Sequence, residues 1–87
     1  MNTNINLYRE QIDNIDDKLL LLINKRAELS KKIAKIKNKE DMPLYIPSRE
    51  TEILEDLCKK NKGPLYDDSI RKIFTEIIKV IRESPSE

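Results

Sequence analysis

One long helical segment dominates the sequence. The first 42 residues contain neither proline nor glycine, the residues that most disfavour a helix interior. Within them, apolar side chains recur at alternating spacings of three and four, in a row that we call the seam: Ile5, Tyr8, Ile12, Ile15, Leu19, Leu22, Leu29, Ile33 and Ile36. This pattern continues through five heptads and predicts one helix from about residue 4 to about residue 39.

The predicted helix is too long for a compact chain of 87 residues. At about 1.5 Å per residue the helix is roughly 50 Å long, whereas a compact domain of this size is about 30 Å across. A single core in so short a chain is also marginal, because shorter chains bury a smaller fraction of their surface on folding. We therefore expect a second chain to cover much of the seam.

Charge is divided unevenly along this helix. Residues 1–24 carry two cations and four acids, a net of −2, whereas residues 25–39 carry seven cations and one acid, a net of +6. The helix macrodipole offers one explanation, since it favours acids near the N-terminus and bases near the C-terminus. Antiparallel pairing with a second copy offers another, and only this pairing also covers the seam. The pattern thus favours a two-fold antiparallel homodimer.

A second, shorter helix is predicted after the long one. Met42 and Pro43 end the first helix, and a connector with a proline at each end follows. The second helix extends over about residues 47–61, and it begins with Pro47 in its first turn or with Ser48 as its cap. Its inward face is predicted to consist of four residues: Ile53, Leu54, Leu57 and Cys58.

A third helix is predicted near the end of the chain. Gly63-Pro64 stops the second helix, and Asp67 or Asp68 caps a third helix over about residues 68–84. Its inward face is predicted from the helical spacing of its apolar residues: Ile70, Ile73, Phe74, Ile77, Ile78 and Ile81. Because no strand-like alternation occurs, we expect one all-α domain over residues 1–87, with one long and two short helices.

Composition excludes several kinds of site. The chain has no histidine and a single cysteine, Cys58, which rules out an internal disulfide and histidine-based metal or acid–base chemistry. Charged residues form 38% of the sequence, yet the net charge is only +1, so overall charge indicates neither nucleic acid nor a membrane surface as a partner. No apolar run approaches the length of a membrane span. We expect a cytoplasmic protein with no metal and no cofactor.

Arg26 interrupts the apolar seam. Burying an unpaired guanidinium is costly, so Arg26 needs an anion, which either a ligand or a protein carboxylate can supply. Without a ligand, Arg26 can be a polar residue that fixes the register of a helix pair, or it can extend to a carboxylate of the partner chain. Lys37 follows eleven residues later, close to three full turns, so both side chains leave one face about 16 Å apart and can converge on one small anion. Arg9 lies about 25 Å before Arg26 and reaches such a site only from an antiparallel partner.

Several segments in a fixed order resemble the all-helical chorismate mutases. They are LYREQIDNID at residues 7–16, LLLLINKR at residues 19–26, KIK at residues 35–37 and PLYIPSRE at residues 43–50. Each segment is weak alone, but their order and spacing are specific, and the resemblance extends over nearly the whole chain. It implies an intertwined homodimer of three-helix protomers that converts chorismate to prephenate in aromatic amino-acid biosynthesis.

The resemblance also implies roles for individual residues. Arg26 and Arg9 of the partner chain would hold the two carboxylates of chorismate, for which a planar guanidinium suits bidentate pairing. Lys37 would donate to a carboxylate and to the ether oxygen of the breaking C–O bond. Glu50 would accept a hydrogen bond from the ring hydroxyl, and Arg49 would help to organise that edge of the site.

Three positions depart from the family pattern. Ile46 stands where many members have an aspartate near the substrate hydroxyl, and Ile81 stands where a serine often contacts a carboxylate. Both are still expected to line the substrate site. Pro85 replaces a glutamine that usually donates to the ether oxygen, and the loss of one such donor costs about a hundred- to a thousandfold in rate. We therefore expect low activity unless the C-terminal turn supplies another polar group: Ser84, Ser86 or Glu87.

Two other classes of function stay open. In the first, the dimer and the anion site are kept, but the protein is an isochorismate-pyruvate lyase, or a subunit that senses chorismate or prephenate and regulates another shikimate-pathway enzyme. A complex with a shikimate-pathway synthase is a further possible partnership. The second is a non-enzymatic helical dimer that binds nucleic acid through residues 25–39. This second class is disfavoured, because no aromatic residues are interleaved with those cations for base stacking.

Overall fold

The structure, a computed structural model, describes residues 3–85, which contain three helices. They are α1 (Thr3–Lys39), α2 (Pro47–Lys60) and α3 (Asp67–Glu83). The described residues include no strand, which confirms the predicted all-α fold. None of these helices is long and apolar enough to cross a membrane, and residues 3–85 contain no group of three or more acidic or cysteine side chains placed to hold a metal ion.

A hydrogen-bonded cap ends α1. Asp41 adopts a left-handed backbone conformation with a φ of 57°. The Met42 N–H donates to the Lys37 carbonyl at 2.7 Å, and the Asp41 N–H donates to the Asn38 carbonyl at 3.3 Å. These two bonds form a Schellman motif, which satisfies carbonyls that the helix end would leave free. Lys37 therefore lies in the last turn of α1, beside the chain reversal into the connector.

Residues with unusual backbones mark the two ends of α2. Pro47 lies in the first turn, where its missing N–H removes no helical hydrogen bond. The helix ends at Lys60, and Gly63, with a φ of 78°, turns the chain toward α3. Asn61 supports this turn, because its side-chain oxygen accepts from the Gly63 N–H at 3.1 Å and its amide donates to the Leu65 carbonyl at 2.8 Å.

Gly63→Ala is expected to lower the free energy of unfolding by about 1–2 kcal/mol. A Cβ added there meets no atom closer than 4.0 Å, so the cost comes from the left-handed backbone and not from a collision. Urea denaturation at a fixed protein concentration measures the change, with Lys62→Ala at the exposed neighbouring position as the control. An alanine variant as stable as the wild type would contradict the left-handed turn.

The start of α3 differs from the prediction. Neither Asp67 nor Asp68 caps the helix, since the N-cap residue is Tyr66, whose side chain makes no capping hydrogen bond. Asp67 instead accepts a hydrogen bond from the Asn61 amide at 2.9 Å, and Asp68 pairs with Arg71 at 2.8 Å. Both carboxylates remain in the first turn of α3, where the helix dipole favours negative charge.

The core that the single chain forms is small. α3 packs against both α1 and α2, and Ile78, at 8% exposure, is the one buried hydrophobic residue among those described. The predicted inward face of α2 is half-buried throughout. The predicted inward face of α3 is buried or half-buried except at Ile73, which is 45% exposed.

α1 extends well beyond the rest of the chain. The described structure measures 61 Å along its longest axis, and its radius of gyration is 16.6 Å, compared with about 12 Å for a compact domain of this length. All nine apolar residues of the seam are exposed, between 42% at Ile5 and 60% at Tyr8. The packing within one chain therefore leaves the seam uncovered.

Candidate active site

A cavity of about 370 Å³ lies between the second half of α1, the connector, the start of α2 and the end of α3. Its volume is within the range of small-molecule sites. Five cations and one carboxylate are among the side chains that line it: Arg26, Lys31, Lys37, Arg49, Arg82 and Glu50. This excess of positive charge favours a small anionic ligand.

Arg26 and Lys37 line the same cavity, in agreement with the shared face predicted from their spacing. Both side chains are half-buried. Neither forms an ion pair with a carboxylate of residues 3–85. A half-buried cation without a carboxylate partner keeps its N–H donors available for a ligand, and a ligand anion would offset the cost of burying its charge.

The first turn of α2 brings Arg49 and Glu50 to the cavity wall. Arg49 pairs with Glu52, and its side chain is 62% exposed, so most of its charge faces solvent. The Glu50 side chain is 26% exposed, and among the described residues it supplies the cavity's one carboxylate. Glu50 is therefore the charged acceptor available there to a ligand hydroxyl.

Arg82 is a cavity residue that the sequence pattern did not single out. It forms an ion pair with Glu50, and its Cζ lies 4.5 Å from the centre of the Tyr45 ring, a cation–π distance. One signal was present in the sequence, because Arg82 follows the buried Ile78 by four residues and so lies on the same side of α3. Its partner lies 32 residues away in sequence, beyond the reach of any local spacing argument.

Ile46 and Ile81 form apolar parts of the cavity wall, and Ser84 lies beside them. The Ser84 hydroxyl donates to the Ile81 carbonyl at 2.7 Å. In this arrangement its proton is not available to a ligand in the cavity. Pro85 follows and has no N–H to donate. The other two candidates for a replacement donor, Ser86 and Glu87, lie outside the described residues.

Arg9 does not line the cavity of its own chain. It is exposed in the first half of α1, about 25 Å from Arg26 along the helix. The structure of one chain thus brings together six of the seven predicted site residues and leaves Arg9 apart. Contact between Arg9 and such a cavity requires a second copy of the chain.

The three helices and the cavity lie in a region that matches a known family. The family model of chorismate mutase type II matches residues 8–84. The chain belongs to the chorismate mutase type II family.

Relatives of the chain include chorismate mutases and bifunctional chorismate mutase/prephenate dehydratases. The chorismate mutase of Methanocaldococcus jannaschii is 41% identical over 71 residues, which are 80% of this chain and 72% of that protein. The crystal structure of the Helicobacter pylori chorismate mutase in complex with prephenate is 34% identical and has a TM-score of 0.85, covering 93% of this chain and 88% of that one.

Another relative is the bifunctional chorismate mutase/prephenate dehydratase of Aquifex aeolicus. It is 40% identical over 74 residues, which are 80% of this chain and 20% of that protein. This chain thus spans about a fifth of the length of the bifunctional relatives that it matches.

Proposed function

We propose that residues 1–87 form one chorismate mutase domain, an isomerase that rearranges chorismate to prephenate. The observation that carries the proposal is the cavity lined by half-buried Arg26 and Lys37, which have no carboxylate partner among the described residues. Chorismate carries two carboxylates, a ring hydroxyl and an ether oxygen, which match the cations and the single carboxylate of this wall. The single cysteine, Cys58, fits a reducing compartment such as the cytoplasm.

The chemistry takes place within one substrate molecule. The ether C–O bond breaks while a C–C bond forms, so the protein contributes position and charge and forms no covalent bond to the substrate. Arg26 holds a carboxylate through its planar guanidinium, and Lys37 donates to the ether oxygen, where negative charge grows. Glu50 accepts from the ring hydroxyl. Holding the compact conformer of the substrate removes a further part of the barrier.

The mutase in this proposal is an intertwined antiparallel homodimer. The single chain exposes 7770 Å², whereas a compact monomer of its mass exposes about 5400 Å². The excess of about 2400 Å² per chain, or about 4800 Å² per pair, is within the range of areas that obligate dimers bury. The exposed seam supplies the apolar surface for this contact.

Arg9 of each chain completes the cavity of the other chain in such a dimer. Antiparallel pairing sets the acidic first half of one α1 beside the basic second half of the other, and it brings Arg9 toward Arg26 of the partner chain. Each dimer then has two identical sites. Arg26 and Arg9 together hold the two carboxylates of the substrate.

Formation of prephenate from chorismate by the purified protein tests this function. We expect saturable turnover about a hundred- to a thousandfold slower than that of a mutase with glutamine at the position of Pro85. Release of pyruvate from isochorismate without prephenate formation would favour the lyase. Prephenate binding without turnover would favour a regulatory subunit of a shikimate-pathway enzyme. Salt-sensitive nucleic-acid binding that is unaffected by chorismate would favour the non-enzymatic helical dimer.

A further inference from the structure

Arg82 joins the end of α3 to the start of α2 at the wall of the cavity, through its ion pair with Glu50. We propose that Arg82 is a positioning residue, which holds the Glu50 carboxylate against the cavity so that one of its oxygens faces the substrate hydroxyl. The inference rests on the mutase function proposed above. It assigns a role to a residue that neither the seam pattern nor the family resemblance singled out.

The ion pair fixes one oxygen of Glu50 and leaves the other available. An Arg82 N–H donates to Glu50 Oε2, while the described residues provide no hydrogen bond to Oε1. A glutamate side chain has several rotatable bonds, and ordering it has an entropic cost. Because Arg82 orders the carboxylate before any ligand binds, the substrate does not have to do so. The free oxygen can then accept from a hydroxyl group.

Tyr45 holds the guanidinium of Arg82 from the connector side. The distance of 4.5 Å between Cζ and the ring centre places the cation over the ring face, where the attraction to the π system restricts its orientation. The Arg82 side chain is 38% exposed, so the pair is partly shielded from water. The connector, α2 and α3 therefore meet at one cluster, which we call the Arg82 clamp: Tyr45, Glu50 and Arg82.

No other cation of the described chain performs this task. Arg49, the neighbour of Glu50, is paired with Glu52 and forms no ion pair with Glu50. α3 ends at Glu83, and Ser84 uses its hydroxyl on the Ile81 carbonyl. Arg82 is thus the last long polar side chain of α3 that lines the cavity.

A role through Glu50 predicts a particular kinetic pattern. The hydroxyl of the substrate is present in chorismate, in the transition state and in prephenate. Weaker contact with it should raise KM and the Kd for prephenate more than it lowers kcat, because the interaction is lost from all of these states alike. If Arg82 had a purely structural role, its substitution would lower the stability of the protein without raising KM and the prephenate Kd more than it lowers kcat.

The test compares Arg82→Gln, Arg82→Lys, Glu50→Gln and the double variant Arg82→Gln/Glu50→Gln. Arg82→Gln should raise KM and the prephenate Kd by about tenfold, and Arg82→Lys should recover part of this loss because it keeps the charge. In the Glu50→Gln background, Arg82→Gln should change either constant by less than about threefold, since the two residues act as one unit. Calorimetric titration with prephenate gives Kd even where turnover is slow.

Arg71→Gln is the matched control, because Arg71 is another arginine of α3 that pairs with an acid, Asp68, on the exposed side of the helix. It should leave KM, kcat and the prephenate Kd unchanged. Urea denaturation of every variant separates effects on the site from effects on folding. If Arg82→Gln is too unstable to study, Arg82→Lys and Tyr45→Leu address the same clamp.

Wild-type constants in the Arg82 variants would overturn the inference, and so would a full tenfold loss that persists in the Glu50→Gln background. Both outcomes leave the proposed mutase function intact, because the wild-type protein still converts chorismate and binds prephenate. A wild-type protein that neither converts chorismate nor binds prephenate would overturn the mutase proposal itself, and the inference with it.

Discussion

Replacing Arg26 with leucine is expected to lower kcat/KM about a thousandfold while the folded protein becomes no less stable. The guanidinium is half-buried and has no carboxylate partner among residues 3–85, so the protein without substrate gains little from its charge. Leucine continues the apolar seam and removes the cost of a half-buried charge that has no such partner. Activity falls while stability does not, because the charge of Arg26 is compensated by a carboxylate of the substrate and not by one of the protein.

Steady-state assays of prephenate formation and urea denaturation at one protein concentration measure the two effects of Arg26→Leu. Lys35→Leu is the control, because Lys35 is an exposed cation of the same half of α1 that does not line the cavity. It should change kcat/KM by less than about threefold. A large loss of stability in Arg26→Leu would mean that a protein carboxylate already compensates Arg26, and it would contradict the proposed site.

Arg9→Ala and Lys37→Ala homodimers are each expected to retain less than about 1% of wild-type activity. Mixing the two variants after unfolding and refolding them together should restore about a quarter of the wild-type activity. Half of the randomly formed dimers are mixed, and each of these has one intact site out of two. The restored activity arises because Arg9 and Lys37 of one site come from different chains.

The control for this mixture replaces the Lys37→Ala chain with the double variant Arg9→Ala/Lys37→Ala. Refolded with Arg9→Ala, it yields no intact site in any dimer, so activity should stay at the level of the single variants. Equal activity in the test and control mixtures would show that the two residues do not cooperate across chains. Size-exclusion chromatography of each mixture confirms that dimers have formed.

The helices were predictable because their side-chain periodicity is strong and local. The seam predicted α1 to within a residue, since five heptads without proline or glycine allow few alternatives. The caps were less predictable, because they depend on backbone geometry. Asp41 takes the left-handed position that glycine usually occupies, and Asp67 turns to Asn61 instead of capping α3.

The candidate site could be predicted where spacing along one helix was enough. Arg26 and Lys37 are both on α1, so their shared face follows from helix geometry, and the resemblance added Arg49 and Glu50. Arg82 was not predicted as a site residue, because its position in the cavity depends on how α3 packs beside α2. Sequence spacing within α3 contains no information about a partner at Glu50. The roles of these residues and the dimer remain predictions that the variants above test.

Three cations of the cavity wall form no ion pair among the described residues, namely Arg26, Lys31 and Lys37, and their proximity also affects the protein before any substrate binds. Like charges in a partly shielded space repel one another, and this repulsion weakens the fold. Dissolved salt screens the repulsion and so stabilises the ligand-free protein, while the same ions weaken the attraction between the cavity and an anionic ligand. Folding stability and ligand affinity should therefore respond to ionic strength in opposite directions.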